Sequence, residues 1–323
     1  MARVAGCDPG TSSLDMLVLD DGQVAEQIRF SPAELRASPS APVDWLRERG
    51  PFDLIAGPSG YGVPLVRNAD LTDDHLNQMT LVRPDERGTS QGVLGFSAML
   101  RAFRDSALPV VFLPGVIHLP TVPDHRKFNR IDLGTADKLA VASLAIRQIG
   151  GSGRFLLLEL GSAFTALIVV HDGQIIHGIG GSAGPIGGQS GGAWDGEAAY
   201  WLSPLRKQDL FTGGVRDTNS TIAEDESLRQ SLMGLYAVTP FETVVVSGKR
   251  ADDPAMLPRL RKLFPEFPAI IPLPSLPGAW VKTAAQGAAI IAEGLATDSP
   301  LMERLQLRHA TGSVLDWLRY RPT

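Results

Sequence analysis

The chain has 323 residues, of which 44% are hydrophobic and 20% charged, and a formal net charge of -5. That length suits two ordinary domains with a core in each, and the net negative charge gives no general attraction to a nucleic-acid backbone or an anionic membrane, so neither is an expected partner. No apolar run reaches about 18 residues, the start MARVAGCDPG lacks a signal-peptide core, and Cys7 is the single cysteine, so a cytoplasmic chain without disulfides is expected.

In chain order, residues 3–7 and 14–19 are apolar enough for buried strands on either side of the turn Asp8-Pro9-Gly10-Thr11-Ser12-Ser13. Asp21-Gly22 then supplies a hairpin turn into a third strand. Residues 41–48 read as a short helix, 52–57 as a buried strand, 93–105 as a helix and 110–113 as a strand. Residues 135–149, TADKLAVASLAIRQI, form the clearest helix of the first half, with Asp137 near its start. Strands over 155–158 and 165–170 flank a second turn, Glu159-Leu160-Gly161-Ser162, and Asp172-Gly173 follows as a second hairpin turn. A glycine-rich stretch over 178–196 precedes a helix over 225–236, a strand over 243–247 and a helix over 280–295. Ser299 can cap a helix that has Pro300 at its first position, and the last twenty residues read as an amphipathic helix closing over a core.

The two meanders are copies of one unit at an offset of 151 residues. Gly10, Val18, Asp21, Gly22, Gln23 and Ile28 recur as Gly161, Val169, Asp172, Gly173, Gln174 and Ile179, and Asp8 falls on Glu159. The first turn has the chemistry of a phosphate pocket: Gly10 admits close approach, Thr11, Ser12 and Ser13 bring hydroxyls and N–H groups, and Asp8 can orient a metal-bound water. The second acid-x-Gly-Ser turn gives an opposed loop, so that a triphosphate can be gripped from both sides.

These residues resemble the actin-like ATPase superfamily, which includes sugar, acetate, butyrate and pantothenate kinases. The resemblance implies an α/β fold of two duplicated ribonuclease H-like domains around a central nucleotide cleft, here 1–150 and 151–323, the second with the adenosine motif. It implies ATP and Mg2+ as cofactors, with Asp8 and Glu159 on the metal side. It also implies that Gly10, Thr11, Ser12, Ser13, Gly161 and Ser162 hold phosphates and that Ser247, Gly248 and Lys249 lie at adenosine. Lys249 stands where the superfamily usually has a second glycine. The helix with Ala284, Gly287 and Ala288 is similar to the small-residue connecting helix of these proteins.

Within the superfamily the chain is most similar to butyrate kinase-like proteins. DPGTSS is followed by an apolar strand and DG, Gly184, Ser190 and Gly191 lie in GPIGGQSGG, and VVVSGK follows later. Two departures stand out: Glu-Leu-Gly-Ser-Ala replaces a His-Ile-Gly-Gly-Gly loop, and Pro277-Gly278-Ala279-Trp280-Val281-Lys282 stands where acyl kinases carry an acidic stretch.

Phosphoryl transfer needs charge neutralised and an acceptor aligned. Asp137, in GTADK, is either an acid that helps activate the acceptor or an acid favoured by a helix N-terminus. Lys138 reads as a surface helix residue that can also counter phosphate charge. Arg83 and Arg87 lie in a loop able to stabilise transferring charge. Residues 180–192 read as an active-site loop, with Asp195 and Glu197 as support or as a cap for the next helix; the histidines show no ligand spacing for zinc. The expected activity is a small-molecule kinase acting on a small phosphoryl acceptor, of carboxylate type, with a possible homodimer. The alternatives are a nucleotide-driven protein switch and a degenerate ATP-binding member.

Overall fold

A computed structural model describes residues 2–86 and 96–319. Both Asp-Gly turns form as expected. Asp21 and Gly22 have φ of 49° and 77°, and Asp172 and Gly173 of 50° and 79°, the positive pair that a tight hairpin between twisted strands requires.

The first sheet comprises β1 (Arg3–Pro9), β2 (Leu14–Asp20), β3 (Gln23–Phe30), β4 (Leu54–Ala56), β5 (Val66–Arg67) and β6 (Val110–Phe112), in the order β3-β2-β1-β4-β6-β5. The second comprises β7 (Arg154–Leu160), β8 (Thr165–His171), β9 (Gln174–Ile179), β10 (Thr243–Ser247) and β11 (Ala269–Pro272), in the order β11-β10-β7-β8-β9. Each is mixed: the meander strands pair antiparallel, and β4 and β10 join β1 and β7 in parallel. The sequence offset is carried into the register. β1 pairs with β2 from Arg3↔Asp20 to Pro9↔Leu14, and β7 with β8 from Arg154↔His171 to Leu160↔Thr165. Even the bulge recurs, between Val18 and Leu19 and between Val169 and Val170.

Strand alternation divides the core. Leu14, Met16, Phe103 and Phe112 pack on the outer face of the first sheet, and Leu156, Leu158, Leu232 and Phe264 on that of the second. Both inner faces share one core with two helices, Ala136–Ile149 and Thr283–Ala296, through Leu17, Leu157, Leu139 and Ile291. Cys7 is a buried member of the first core, and burial pushes its thiol far up, so it is a packing residue.

The helices at 41–48 and 135–149 appear as Ala41–Arg47 and Ala136–Ile149. The helix at 225–236 is longer, Thr221–Val238, because Ser220 Oγ accepts from Ala223 N at 3.2 Å and moves its start back. Of 93–105, the described part is Phe96–Arg104. Among the described residues the long final helix does not form: Ser299 and Pro300 start a helix that ends at Leu305, where Gln306 turns left-handed at φ 51°, and up to residue 319 only the short 3-10 helix Leu307–His309 follows.

Candidate functional site

β1 delivers Asp8 to its carboxyl end, where the chain turns through residues 10–13. Asp8 is 3% exposed, while Gly10, Thr11 and Ser12 are exposed, so the turn presents its backbone and two hydroxyls outward above a buried acid. Burial pushes the Asp8 carboxyl up to about 7, with Lys282 opposing and Asp137 reinforcing the shift. Its nearest cation is Lys282, whose Nζ lies 3.6 Å from Asp8 Oδ2. Asp8 accepts no side-chain hydrogen bond among the described residues.

Lys282 was not singled out as a site residue from sequence, and it organises the turn. Its Nζ donates to the Ser13 carbonyl at 3.1 Å, and its N–H donates to Asp15 Oδ2 at 3.0 Å. Asp15 is fully buried. Burial would raise it, but hydrogen bonds from Arg29 and from Ser13 Oγ (2.6 Å) hold it below the usual carboxylate range. Ser13 therefore supports the turn from inside, whereas Thr11 and Ser12 make no side-chain hydrogen bonds among the described residues.

On the other side, β7 carries Glu159 next to its last residue, Leu160, and runs into the turn through Gly161 and Ser162. Lys138, on the first turn of the Ala136–Ile149 helix, reaches both Asp137 Oδ2 at 2.7 Å and Glu159 Oε2 at 2.9 Å. Burial would lower Lys138, but these two carboxylates outweigh it and hold the ammonium charged. Asp137 shows the converse: burial would raise it, and Lys138, with a hydrogen bond from Thr135 Oγ1, keeps it below the usual range. Lys138 is thus a half-buried ion-pair centre rather than a surface helix residue.

The third turn closes the arrangement. Ser247 pairs in register with Glu159 across β10 and β7, and Ser247 Oγ lies 2.9 Å from Thr283 Oγ1, next to Lys282. Gly248 has φ 98°, and a Cβ there would meet Leu160 O at 2.5 Å and Glu159 Oε1 at 2.8 Å, so glycine is required. The structure thereby brings together Asp8, Gly10, Ser13, Asp137, Glu159, Ser247 and Gly248. Lys249 is not among them: it is exposed and pairs with Asp252 at 2.9 Å. Arg83 is also exposed, pairing with Glu86 at 3.1 Å and Asp85 at 3.5 Å. Arg87 lies outside the described residues.

The glycine-rich stretch packs on the second turn. Gln189 and Ser190 N–H groups both donate to Ala163 O at 3.0 Å, Ala193 N donates to Gly184 O at 2.8 Å, and Gly191 N donates to Thr212 O at 2.8 Å. Ser190 is 1% exposed and its Oγ accepts from Gly192 N at 3.2 Å. Gly184, Ser190 and Gly191 therefore shape a hydrogen-bonded loop behind Gly161 and Ser162. Asp195 caps the helix Gly196–Leu202, accepting from Glu197 N at 2.7 Å.

Of the acids, Asp8 fits a cation best. Glu159 and Asp137 are committed to Lys138, and Asp15 to Arg29 and Ser13. Among the described residues no cluster of three His, Cys, Asp or Glu forms a metal cage. Magnesium, however, is commonly held by one or two carboxylates together with substrate phosphates, a mode that needs no such cage.

Solved structures share this two-lobed α/β fold. An acetate kinase from Entamoeba histolytica has 10% identity and a TM-score of 0.56, covering 82% of this chain and 86% of its own. A propionate kinase from Francisella tularensis subsp. tularensis SCHU S4 has 13% identity and a TM-score of 0.56, covering 89% and 99%. A ROK family protein from Streptococcus pneumoniae TIGR4, in complex with sucrose, has 13% identity and a TM-score of 0.52, covering 92% and 99%. At these identities the likeness is one of fold alone. No curated protein sequence matches the chain. A family model does match, over residues 6–320, nearly its whole length, and the chain therefore belongs to the family described as protein of unknown function (DUF1464).

Proposed function

We propose that this chain is an ATP-dependent small-molecule kinase of the carboxylate, butyrate-like type, built from two duplicated ribonuclease H-like domains that divide near residue 150. The observation that carries this reading is the convergence of the three turns on one charge cluster: Asp8 with Lys282, and Asp137 and Glu159 with Lys138. A phosphate chain needs such a site, with outward N–H and hydroxyl donors and fixed cations behind them.

Thr11, Ser12 and the backbone of the first turn would face the β- and γ-phosphates, with Gly161 and Ser162 opposite and Ser247 and Gly248 toward adenosine. Asp8 would hold magnesium together with the nucleotide's own phosphates, and the ion would neutralise phosphate charge. Lys282 supplies fixed positive charge beside the first turn, and Lys138 holds Asp137 and Glu159 in place. Transfer forms a bond from an acceptor oxygen to the γ-phosphorus and breaks the bond to the β,γ-bridging oxygen, whose electron pair leaves with ADP. A carboxylate acceptor arrives already ionised and needs no base; for a hydroxyl acceptor Asp137 would take the proton. Arg83, turned to Asp85 and Glu86, is given no part in the transfer.

Titration of Mg-ATP into wild type and Thr11→Val tests the nucleotide site. Thr11 is exposed and makes no hydrogen bond that folding needs, so the variant should fold normally and bind about tenfold more weakly. Equal affinity in both would remove the first turn from the nucleotide site.

One observation favours the protein-switch reading. In the helix Gly196–Leu202, Tyr200 and Trp201 are 77% and 83% exposed, large apolar surfaces of the kind that partner proteins cover. Slow ATP hydrolysis that no small acceptor stimulates would favour that reading over the kinase.

A further inference from the structure

Apart from the phosphate turns, one more cation lies where the two halves of the chain meet. Lys207 opens the 3-10 helix Lys207–Phe211. Its Nζ donates to Tyr61 Oη at 2.9 Å and stands 4.3 Å from the centre of the Tyr61 ring. Tyr61 belongs to the loop after β4, and that loop is tied down: Tyr61 N donates to Met79 O at 3.0 Å, and Gly60 O accepts from Ala136 N at 3.0 Å. The second bond fixes Tyr61 beside the start of the Ala136–Ile149 helix, one residue before Asp137.

The surroundings of Lys207 are acidic without pairing it. Asp132 and Glu86, each 8% exposed, act on it electrostatically, yet Lys207 forms no ion pair among the described residues. Asp132 is engaged elsewhere, accepting from Gly134 N at 3.0 Å, Ser182 N at 3.3 Å and Ser182 Oγ at 3.1 Å. Burial pushes the Lys207 ammonium down to about 8 against the opposing pull of Asp132 and Glu86. A partly buried ammonium with one hydrogen bond keeps two N–H groups for a ligand, and Tyr61, accepting from Lys207, keeps its own O–H to donate. Asp137, the acid on the transfer side, shares Lys138 with Glu159, so an entering anion is drawn in by the Lys207 ammonium and the Tyr61 O–H against the field of Asp132 and Glu86.

We propose that Lys207 and Tyr61 form the acceptor subsite and that this subsite receives the carboxylate of a small monocarboxylic acid. An uncharged polyol or alcohol leaves the ammonium without a counter-ion and is selected against. This assignment rests on the kinase reading for its meaning, but carboxylate binding can be measured without nucleotide, so the two fail separately.

The experiment titrates acetate, butyrate and octanoate, with 1-butanol as the uncharged match of butyrate, into the full chain as wild type, Lys207→Gln and Tyr61→Phe. Mg-ATP is titrated in parallel. At least one carboxylate should bind wild type, with affinity falling about tenfold or more in Lys207→Gln and less in Tyr61→Phe, while 1-butanol binds wild type much more weakly and Mg-ATP affinity stays within about twofold. Thermal midpoints near that of wild type confirm folded variants, and Tyr61→Phe provides the test if Lys207→Gln does not fold. Absence of carboxylate binding to wild type, equal binding in the variants, or a loss confined to Mg-ATP would each overturn the assignment; the last would place Lys207 in the nucleotide site instead. Failure of Mg-ATP to bind while the carboxylate result holds would count against the kinase reading alone.

Discussion

Lys282 Nζ lies 3.6 Å from Asp8 Oδ2, in the space that a side chain at position 10 would fill. A lysine 274 residues away in sequence therefore serves as the floor of the first turn. It is close enough to steady Asp8 and too distant for a direct hydrogen bond, which leaves the carboxylate available to a cation.

The raised Asp8 carboxyl has a stability signature. Its folded value of about 7 exceeds the ordinary 3.8, so the folded state binds the extra proton between those values. The stabilisation from that proton is complete below about pH 3.8 and is lost as pH rises through 7. Asp8→Asn should therefore melt higher than wild type at pH 8 without nucleotide or metal, by about 2–4 °C for each kcal/mol relieved. The gap should shrink as pH falls through 7. A constant gap from pH 5 to 8 would show that Asp8 is ionised throughout.

Removing Lys138 should cost more. Lys138→Met leaves buried Glu159 and half-buried Asp137 without their shared cation, and since breaking a fully buried pair typically costs about 3–5 kcal/mol, a loss of about 2–4 kcal/mol is expected at this partly solvated one. Denaturant unfolding at pH 7 measures it. A loss below about 1 kcal/mol would mean that the two acids find water or another donor.

The contact between the two inner helices is equally specific. A Cβ at Gly287 would run into the carbonyl of Ala140 on the facing helix. Gly287→Val should destabilise the chain by roughly 2 kcal/mol or more, since overpacked backbone contacts cannot yield like flexible side chains. An unchanged midpoint would show that the helices can separate.

Much of the fold was legible because it is local. Asp-Gly at 21–22 and 172–173 encodes the hairpins, and the repeat placed both turns, because a strand's side-chain period and a turn's φ demands are written within a few residues. The final helix was misread because apolar spacing alone does not reveal that Gln306 will turn left-handed. The turns at Asp8, Glu159 and Ser247 were found, but their partners were not identified as such. Lys282 meets Asp15 across 267 positions and Lys207 meets Tyr61 across 146, and neither pair leaves a local pattern. Lys138 illustrates the same limit, since only the approach of Glu159 distinguishes it from a solvated helix lysine.

The central claim is acceptor-dependent phosphoryl transfer at the turn that carries Asp8. The most direct measurement is ADP formation from Mg-ATP by wild type and Asp8→Asn across short carboxylates, polyols and pantothenate-like alcohols. The account predicts turnover that requires a carboxylate and is lost in Asp8→Asn while the variant remains folded. Turnover that survives in Asp8→Asn, or no acceptor-dependent turnover in wild type with any of these compounds, would contradict it.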